Sequence, residues 1–187
     1  REAYLQSVKP QREKFRTIIG AVDPRVATHG FELLATAGGH TAIAESATWS
    51  AHEVSWRVFE GVTGTGLLFR PKGAAVARVI ALPDADWTPE QYAGLAPGLP
   101  PERHLPRQLA DRGCEVLVPL LISRDDTHSG NPVVAMTNQP HREFVYRPAF
   151  EMGRHVIGYE VAKIEAAIDA FDMHGPKPPA LPLVVAG

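Results

Sequence analysis

Three short apolar runs constrain this chain more than any other feature. They are Ala75 to Leu82 (AVARVIAL), Cys114 to Ile122 (CEVLVPLLI) and Leu181 to Ala186 (LPLVVA). Each has the length of a strand. Each is too continuously apolar for a strand with one wet face, so burial on both faces is expected, as in a parallel sheet. Helical patterns lie between them. Glu102 to Arg112 carries Leu105, Leu109 and Ala110, and Gly113 caps it. From Ala149 to Phe171, the residues Ile157, Val161, Ile164, Ile168 and Phe171 step by four, three, four and three, one continuous stripe. Pro176, Pro178 and Pro179 stop that helix, and residues 123–148 read as a long polar loop. Strands alternating with helices predict a parallel sheet with right-handed crossovers.

Upstream the period changes. Glu53 to Glu60 alternates, with Val54, Trp56 and Val58 on one side and Ser55, Arg57 and Phe59 on the other. Gly61 to Gly66 reads as a turn, Gly66 to Arg70 as the returning strand, and Pro71-Lys72-Gly73 as its end, which together make an antiparallel hairpin. Residues 2–19 form an amphipathic helix with Tyr4, Val8, Phe15, Ile18 and Ile19 as apolar points and Gly20 as stop. Pro10 interrupts it, so two short helices or a start near residue 11 are the alternatives. Residues 23–52 are irregular, with a short strand or two. The expected organisation is a helical and irregular N-terminal extension over 1–52 and a domain over 53–187.

Bulk properties exclude several classes. A net charge of −2 gives no field for gathering nucleic acid or an anionic membrane. No apolar stretch of about 18 residues occurs, so a transmembrane helix is not expected. Cys114 is the only cysteine, which rules out an internal disulfide, and its place before an apolar run makes it a small buried filler rather than a nucleophile. Gly61-x-x-Gly64-x-Gly66 lies between two strand patterns and lacks a following helix, so it is not a dinucleotide loop. Trp56 reads as core. Trp49, Trp56 and Trp87 make a sugar-stacking platform only if folding brings two of them together.

The order of elements, with an antiparallel hairpin first, resembles the opening of the α/β-hydrolase fold. The residues sharpen the resemblance: Arg12-Glu13-Lys14-Phe15-Arg16 through Ile19-Gly20, the hairpin end Leu68-Phe69-Arg70-Pro71-Lys72-Gly73, the strand end Val79-Ile80-Ala81-Leu82-Pro83-Asp84-Ala85-Asp86, and the helix Met152-Gly153-Arg154 through Ile157-Gly158-Tyr159-Glu160-Val161 to Asp169. These are similar to the acetyl-xylan-esterase-like and dienelactone-hydrolase-like branch, over residues 11–20 and 54–187. The resemblance implies that the chain is the N-terminal half of an α/β-hydrolase-like fold with a helical N-terminal extension. Leu181 to Gly187 then matches the strand and first glycine of the nucleophile elbow Gly-x-Ser-x-Gly. Serine, acid and histidine follow in that order in this fold, so all three are expected beyond residue 187, none of the eight histidines here is the catalytic base, and this chain alone is expected to be inactive. A secreted or periplasmic setting is what the resemblance implies; nothing else in the sequence bears on compartment.

The implied contribution of this half is the oxyanion hole, through backbone N–H groups at Asp84 and Ala85. Where the branch usually has glycines and a histidine, this chain has Asp84-Ala85-Asp86. Carboxylates there repel a developing oxyanion unless they point away and only N–H groups face the site. The loop Ser123 to Asn131 follows the carboxyl end of a strand, the edge that carries ligands in open α/β sheets. Its Arg124, Asp125, Asp126 and His128 suit a wall binding a sugar or an acid, with His141 from the next segment joining them as a substrate contact. Local ion pairing is the plainer reading of both segments. A hard metal ion needs more oxygens at defined spacing, so neither metal nor cofactor is expected. Arg154 and Tyr159 read as buried hydrogen-bonding anchors for the preceding loop.

Two functional readings follow. One is a part of a carboxylic-ester hydrolase acting on a small-molecule or carbohydrate ester. The other is a non-catalytic hydrolase-like module for binding or assembly. In both, the strand at 181–186 presents an unpaired apolar edge, and the expected partner is the C-terminal half of the same domain or a second copy through that edge.

Overall fold

The computed structural model describes residues 1–34, 39, 41–126, 133, 139–173 and 181–187. By contacts the chain divides into two units, one of residues 1–25 and 122–163, the other of residues 26–121 and 164–187.

The second unit holds one seven-stranded sheet. Its strands are β1 (Glu32–Leu33), β2 (Ala42–Glu45), β3 (Trp49–Phe59), β4 (Val62–Pro71), β5 (Arg78–Ala81), β6 (Glu115–Pro119) and β7 (Leu183–Ala186). The order is β1-β3-β4-β6-β5-β7, with β2 also pairing β3. β3 and β4 form the antiparallel hairpin, β4 runs antiparallel to β6, and β5 runs parallel to both β6 and β7. The chain therefore passes from β5 to β6 on one side and returns to β7 on the other. This is the α/β architecture expected from the alternating runs, with a hairpin leading into parallel strands.

Between β5 and β6 lie a short helix α2 (Pro89–Tyr92), a 3-10 turn at Pro101–Arg103 and α3 (Leu105–Asp111). α2 is closed by a capping box in which Thr88 Oγ1 accepts from the Gln91 N–H and the Gln91 side chain accepts from the Thr88 N–H. α3 packs on β4 and β6. One sheet face buries Trp49, Leu67, Phe69, Val116 and Val118 together with Tyr92, Ala110 and Cys114, so the lone cysteine is core filler. The opposite face buries Trp56, Leu68, Ile80 and Leu117, and Phe31 stands edge-on to both Trp56 and Phe171. Each such side chain contributes about 1.5–3 kcal/mol of apolar burial.

Several boundaries differ from the sequence expectation. The hairpin turn is only Glu60-Gly61, because Phe59 pairs directly with Val62, and β3 begins at Trp49 rather than Glu53. Gly64 and Gly66, expected in the turn, are strand residues. A Cβ on Gly64 would come within 2.5 Å of the Trp56 ring, and one on Gly66 would collide with the Val118 carbonyl. They are glycines because other groups approach them closely, not because the chain turns. β7 lies at the sheet edge with Val184 and Val185 both about half exposed, where burial on both faces was expected.

The first unit contains α1 (Glu2–Ile18), α4 (His141–Glu151) and the first half of α5 (Val156–Met173). α1 is one continuous helix with Pro10 inside it, neither broken nor delayed to residue 11. It buries none of its residues, and Tyr4, Leu5, Phe15 and Ile18 are exposed. α4 occupies a segment expected to be loop, and the single helix expected over 149–171 begins at Val156. Gly153, at φ 68°, adopts the left-handed conformation that separates α4 from α5. The predicted stripe marks the buried face of α5 in part: Phe171 is buried and Val161, Ile164 and Ile168 are half-buried, but Ile157 is exposed, and Ala162, Ala166, Ala167 and Ala170 complete the buried face. Gly158 is glycine because the backbone of Ile19 to Ala21 passes against it. Asp23 receives a two-pronged ion pair from Arg154, Nε to Oδ2 at 2.6 Å and Nη2 to Oδ1 at 2.7 Å. Among the described residues no helix is long and apolar enough to cross a membrane.

Candidate functional site

The loop leaving the carboxyl end of β5 is built almost entirely from backbone constraints. Leu82 gives its N–H to the Ala186 carbonyl at 2.7 Å, and Pro83 has no N–H to give. Asp84 then closes a tight turn: its Oδ1 accepts from the Asp86 N–H at 3.2 Å and its carbonyl from the Trp87 N–H at 3.0 Å. Thr88 starts the capping box of α2, which anchors the far end of the loop. Among the described residues no hydrogen bond satisfies the Ala85 N–H. The Asp84 carboxylate is turned toward the Asp86 amide.

Gly187 follows β7 and lies against Leu82, where a Cβ would sit 3.1 Å from the Leu82 Cβ. The end of β7 and the start of the Pro83–Trp87 loop are therefore neighbours at the carboxyl edge of the parallel strands, where open α/β sheets bind ligands. A cavity of about 250 Å³ lies in the same unit. It is walled by Leu67, Thr65 and Glu53 of the hairpin, Leu120 after β6, and Thr88 and Glu90 at the start of α2.

In the first unit, two ends of the predicted substrate loop meet. The His141 N–H donates to the Asp125 carbonyl at 2.7 Å and the Arg142 N–H to the Ser123 carbonyl at 2.9 Å. Arg124, Asp125 and His141 are thus brought to one place, with Arg124, Asp125 and Asp126 exposed beside it. His128 lies outside the described residues. A cavity of about 370 Å³ opens there, lined by Arg124, Arg142, Glu143, Tyr146 and His155 among others. Neither Asp125, Asp126 nor His141 lines it. Tyr146 and His155 were not singled out by sequence as ligand contacts, because α4 was hidden in what read as loop.

Arg142 is not part of a solvated face. It forks onto Glu160, with Nη1 to Oε1 at 2.6 Å and Nη2 to Oε2 at 2.7 Å, and also donates to the Ile122 carbonyl at 3.0 Å. The local pair on α4 is Arg147 with Glu143, at 3.1 Å. Arg154 is half-buried rather than buried, and it anchors Asp23, after α1, rather than the loop before it. The Arg154 guanidinium holds the Asp23 carboxyl below the usual carboxylate range.

A serine and a histidine also meet in the second unit. Ser50 Oγ and His52 Nε2 are 2.9 Å apart, and His52 Nδ1 is 2.9 Å from the Thr41 carbonyl. They lie at the β3 end that pairs with Arg70 and Leu68, away from the Pro83–Trp87 loop. The surrounding backbone is engaged in the β2–β3–β4 ladder, which leaves no oxyanion donors. The pair reads as internal hydrogen bonding of a buried histidine. Trp49 and Trp87 make no platform with each other: Trp49 donates Nε1–H to Asp111 at 2.7 Å, and Trp87 packs on Tyr92. Among the described residues no cluster of His, Cys, Asp and Glu could hold a metal ion.

Known proteins add a likeness of fold. No protein-family model and no curated protein matches the sequence. The structure is similar to the crystal structure of a Bacteroides fragilis protein described as a putative acetyl xylan esterase, with a TM-score of 0.67 over 98% of this chain at 14% identity. The chain spans 47% of that protein, about half its length. At this identity the likeness concerns fold, and the fold is α/β-hydrolase-like, from the opening hairpin through the first parallel strands.

Proposed function

We propose that this chain supplies the oxyanion-binding half of a carboxylic-ester hydrolase, with the nucleophile carried by polypeptide that continues from β7. The observation that carries the reading is the contact of Gly187 with Leu82. A chain leaving β7 emerges beside the loop that holds the Ala85 N–H. In the fold's usual arrangement a serine two residues past such a glycine attacks the ester carbonyl. The Ala85 N–H, and that of Asp84 beside it, then stabilise the tetrahedral oxyanion. The Asp84 side chain accepts from the Asp86 amide, so that carboxylate is engaged within the turn. The fold neighbour, described as a putative acetyl xylan esterase, suggests acetylated carbohydrate as the ester.

The test is hydrolysis of p-nitrophenyl acetate by a polypeptide extended past Gly187. Ala85→Pro, which deletes the N–H, is expected to lower kcat by about 10²–10³ with KM little changed, and Ala85→Gly to leave it intact. Equal kcat in Ala85→Pro and the parent would sink the assignment.

The second reading, a non-catalytic binding or assembly module, is favoured by the exposed Asp84 and Asp86 carboxylates at the loop rim. It predicts no nucleophile two residues past Gly187 and no turnover in the extended polypeptide.

A further inference from the structure

α1 presents a complete amphipathic face to solvent. Tyr4, Val8, Gln11, Phe15 and Ile18 step by four, three, four and three, so they fall on one line along the helix. All but Gln11 are apolar. Tyr4, Phe15 and Ile18 are 64%, 59% and 67% exposed, and Leu5 beside the line is exposed as well. Among the described residues nothing buries any part of α1. The charges of the helix are sorted about that line. α1 carries Lys9, Arg12, Lys14 and Arg16 against Glu2 and Glu13. At 3.6 residues per turn, Arg12 and Lys14 lie about 80° to either side of the line, whereas Glu2 and Glu13 lie about 160–180° from it. Glu13 is therefore on the far side, although it stands between the two cations in sequence. No ion pair engages Arg12 or Lys14 among the described residues. The net charge of −2 for the whole chain hides this local excess of positive charge.

We infer that α1 lies flat on an anionic lipid surface, with Tyr4, Val8, Phe15 and Ile18 at the acyl boundary and Arg12 and Lys14 on the phosphates. Apolar side chains below, cations at both margins and carboxylates on the water side are the arrangement such a surface selects. The stems of Arg12 and Lys14 extend the apolar contact while their heads stay at headgroup level. Tyr4 to Ile18 spans about 21 Å, and a bilayer takes that whole line at once without a matching groove. A second copy of the helix fits less well. Packing along the same line would set positive flank against positive flank, with no glutamate there to answer them. The inference is independent of ester hydrolysis, because binding is read without turnover.

The test is flotation of the whole chain with vesicles of phosphatidylcholine, alone or with about 30% phosphatidylglycerol. Flotation separates lipid-bound chain from chain that merely self-associates. Binding to the mixed vesicles and little to the neutral ones is expected, and about 0.5 M salt should release most of it. Arg12→Gln with Lys14→Gln should weaken partitioning by roughly tenfold or more. Phe15→Ser should weaken it by about tenfold or more through lost apolar contact. Glu13→Gln, on the water side, should not weaken it. These positions are exposed, so their replacement does not threaten folding, and the circular dichroism of each variant should match the parent. Equal binding to both vesicles would reduce the face to an apolar surface. Unchanged partitioning in the Arg12→Gln, Lys14→Gln double variant would place the membrane contact elsewhere. Binding to neither vesicle would assign the face to a protein: a second copy if Phe15→Ser abolishes self-association in sedimentation, an acidic partner otherwise. Each of these results overturns the inference.

Discussion

Arg142 and Glu160 meet through two parallel hydrogen bonds of 2.6 and 2.7 Å, with side chains only 22% and 14% exposed. Glu160 also accepts the Ile122 N–H at 3.2 Å, so the pair ties α4, α5 and the 122–126 segment together. Removing one partner strands the other charge. Arg142→Met is expected to cost about 2–3 kcal/mol, less than a fully buried pair because water reaches both groups. The double replacement with Glu160→Leu should recover much of that loss. Urea unfolding of the two variants checks it: equal midpoints for single and double would show that the pairing carries no coupling.

The acid limb of stability should depend on Asp23. Its folded carboxyl lies below the unfolded value, so the ionised form contributes stability above about pH 4. That contribution is lost as pH falls through the depressed folded value. Asp23→Asn should therefore be less stable than the parent at neutral pH and converge with it in acid. Thermal melts from pH 7 to pH 2.5 would show a constant gap if Asp23 were irrelevant to the transition.

Glu115 should behave in the opposite sense. Burial pushes its carboxyl up, against the pull of Arg78 and Arg70. A carboxyl raised on folding contributes stability in its protonated form, and that is lost as pH rises from the unfolded value through the folded one. Relative to Glu115→Gln, the parent should lose stability as pH climbs above about 4.5. A gap that widens in the other direction would show that the pairing with Arg78, at 3.4 Å, outweighs burial.

Gly64→Ala should cost about 1–3 kcal/mol, because the new methyl meets the rigid, buried Trp56 ring. Trp56→Phe in the same chain should relieve part of it. Gly66→Ala meets backbone at Val118 instead and should find no such rescue. Melting temperatures of the three variants distinguish the two kinds of collision.

The edge of β7 should drive association. Val184 and Val185 are 49% and 46% exposed, and among the described residues only β5 pairs with the strand. Val184→Lys with Val185→Lys should shift the chain toward a monomer in sedimentation velocity. A parent that is already monomeric at tens of micromolar would refute the prediction.

The strand-helix alternation was legible because β5 and β6 are buried on both faces, and such strands must be written in apolar residues. The hairpin was legible in its alternation but not in its length, since Gly64 and Gly66 carry the same letter as turn glycines while serving close approach. The inward face of α5 was read only in part for a related reason. Beside Phe171, which the stripe named, its buried residues are alanines, which a search for large apolar side chains passes over, while Ile157 is exposed. α4 escaped notice because its polar residues are spent on pairing: Arg142 with Glu160, Arg147 with Glu143. Asp84 and Ala85 were named from the family resemblance, and Arg124 from its place after a strand. Tyr146 and His155 needed the break at Gly153, which brings two helices to one cavity.

The Pro83–Trp87 loop offers donors that belong to no particular side chain. Its shape rests on Leu82 being tied to Ala186, on a proline ring and on an Asp84 turn, and its chemistry on main-chain amides. Asp84 holds that turn through its own carboxylate, whereas Asp86 enters it through its main-chain N–H, so the side chain at 86 can change sign and size while the amides stay in place. On the proposed function, charge written into position 86 would then act as a filter on what approaches, turning away anionic esters at the mouth.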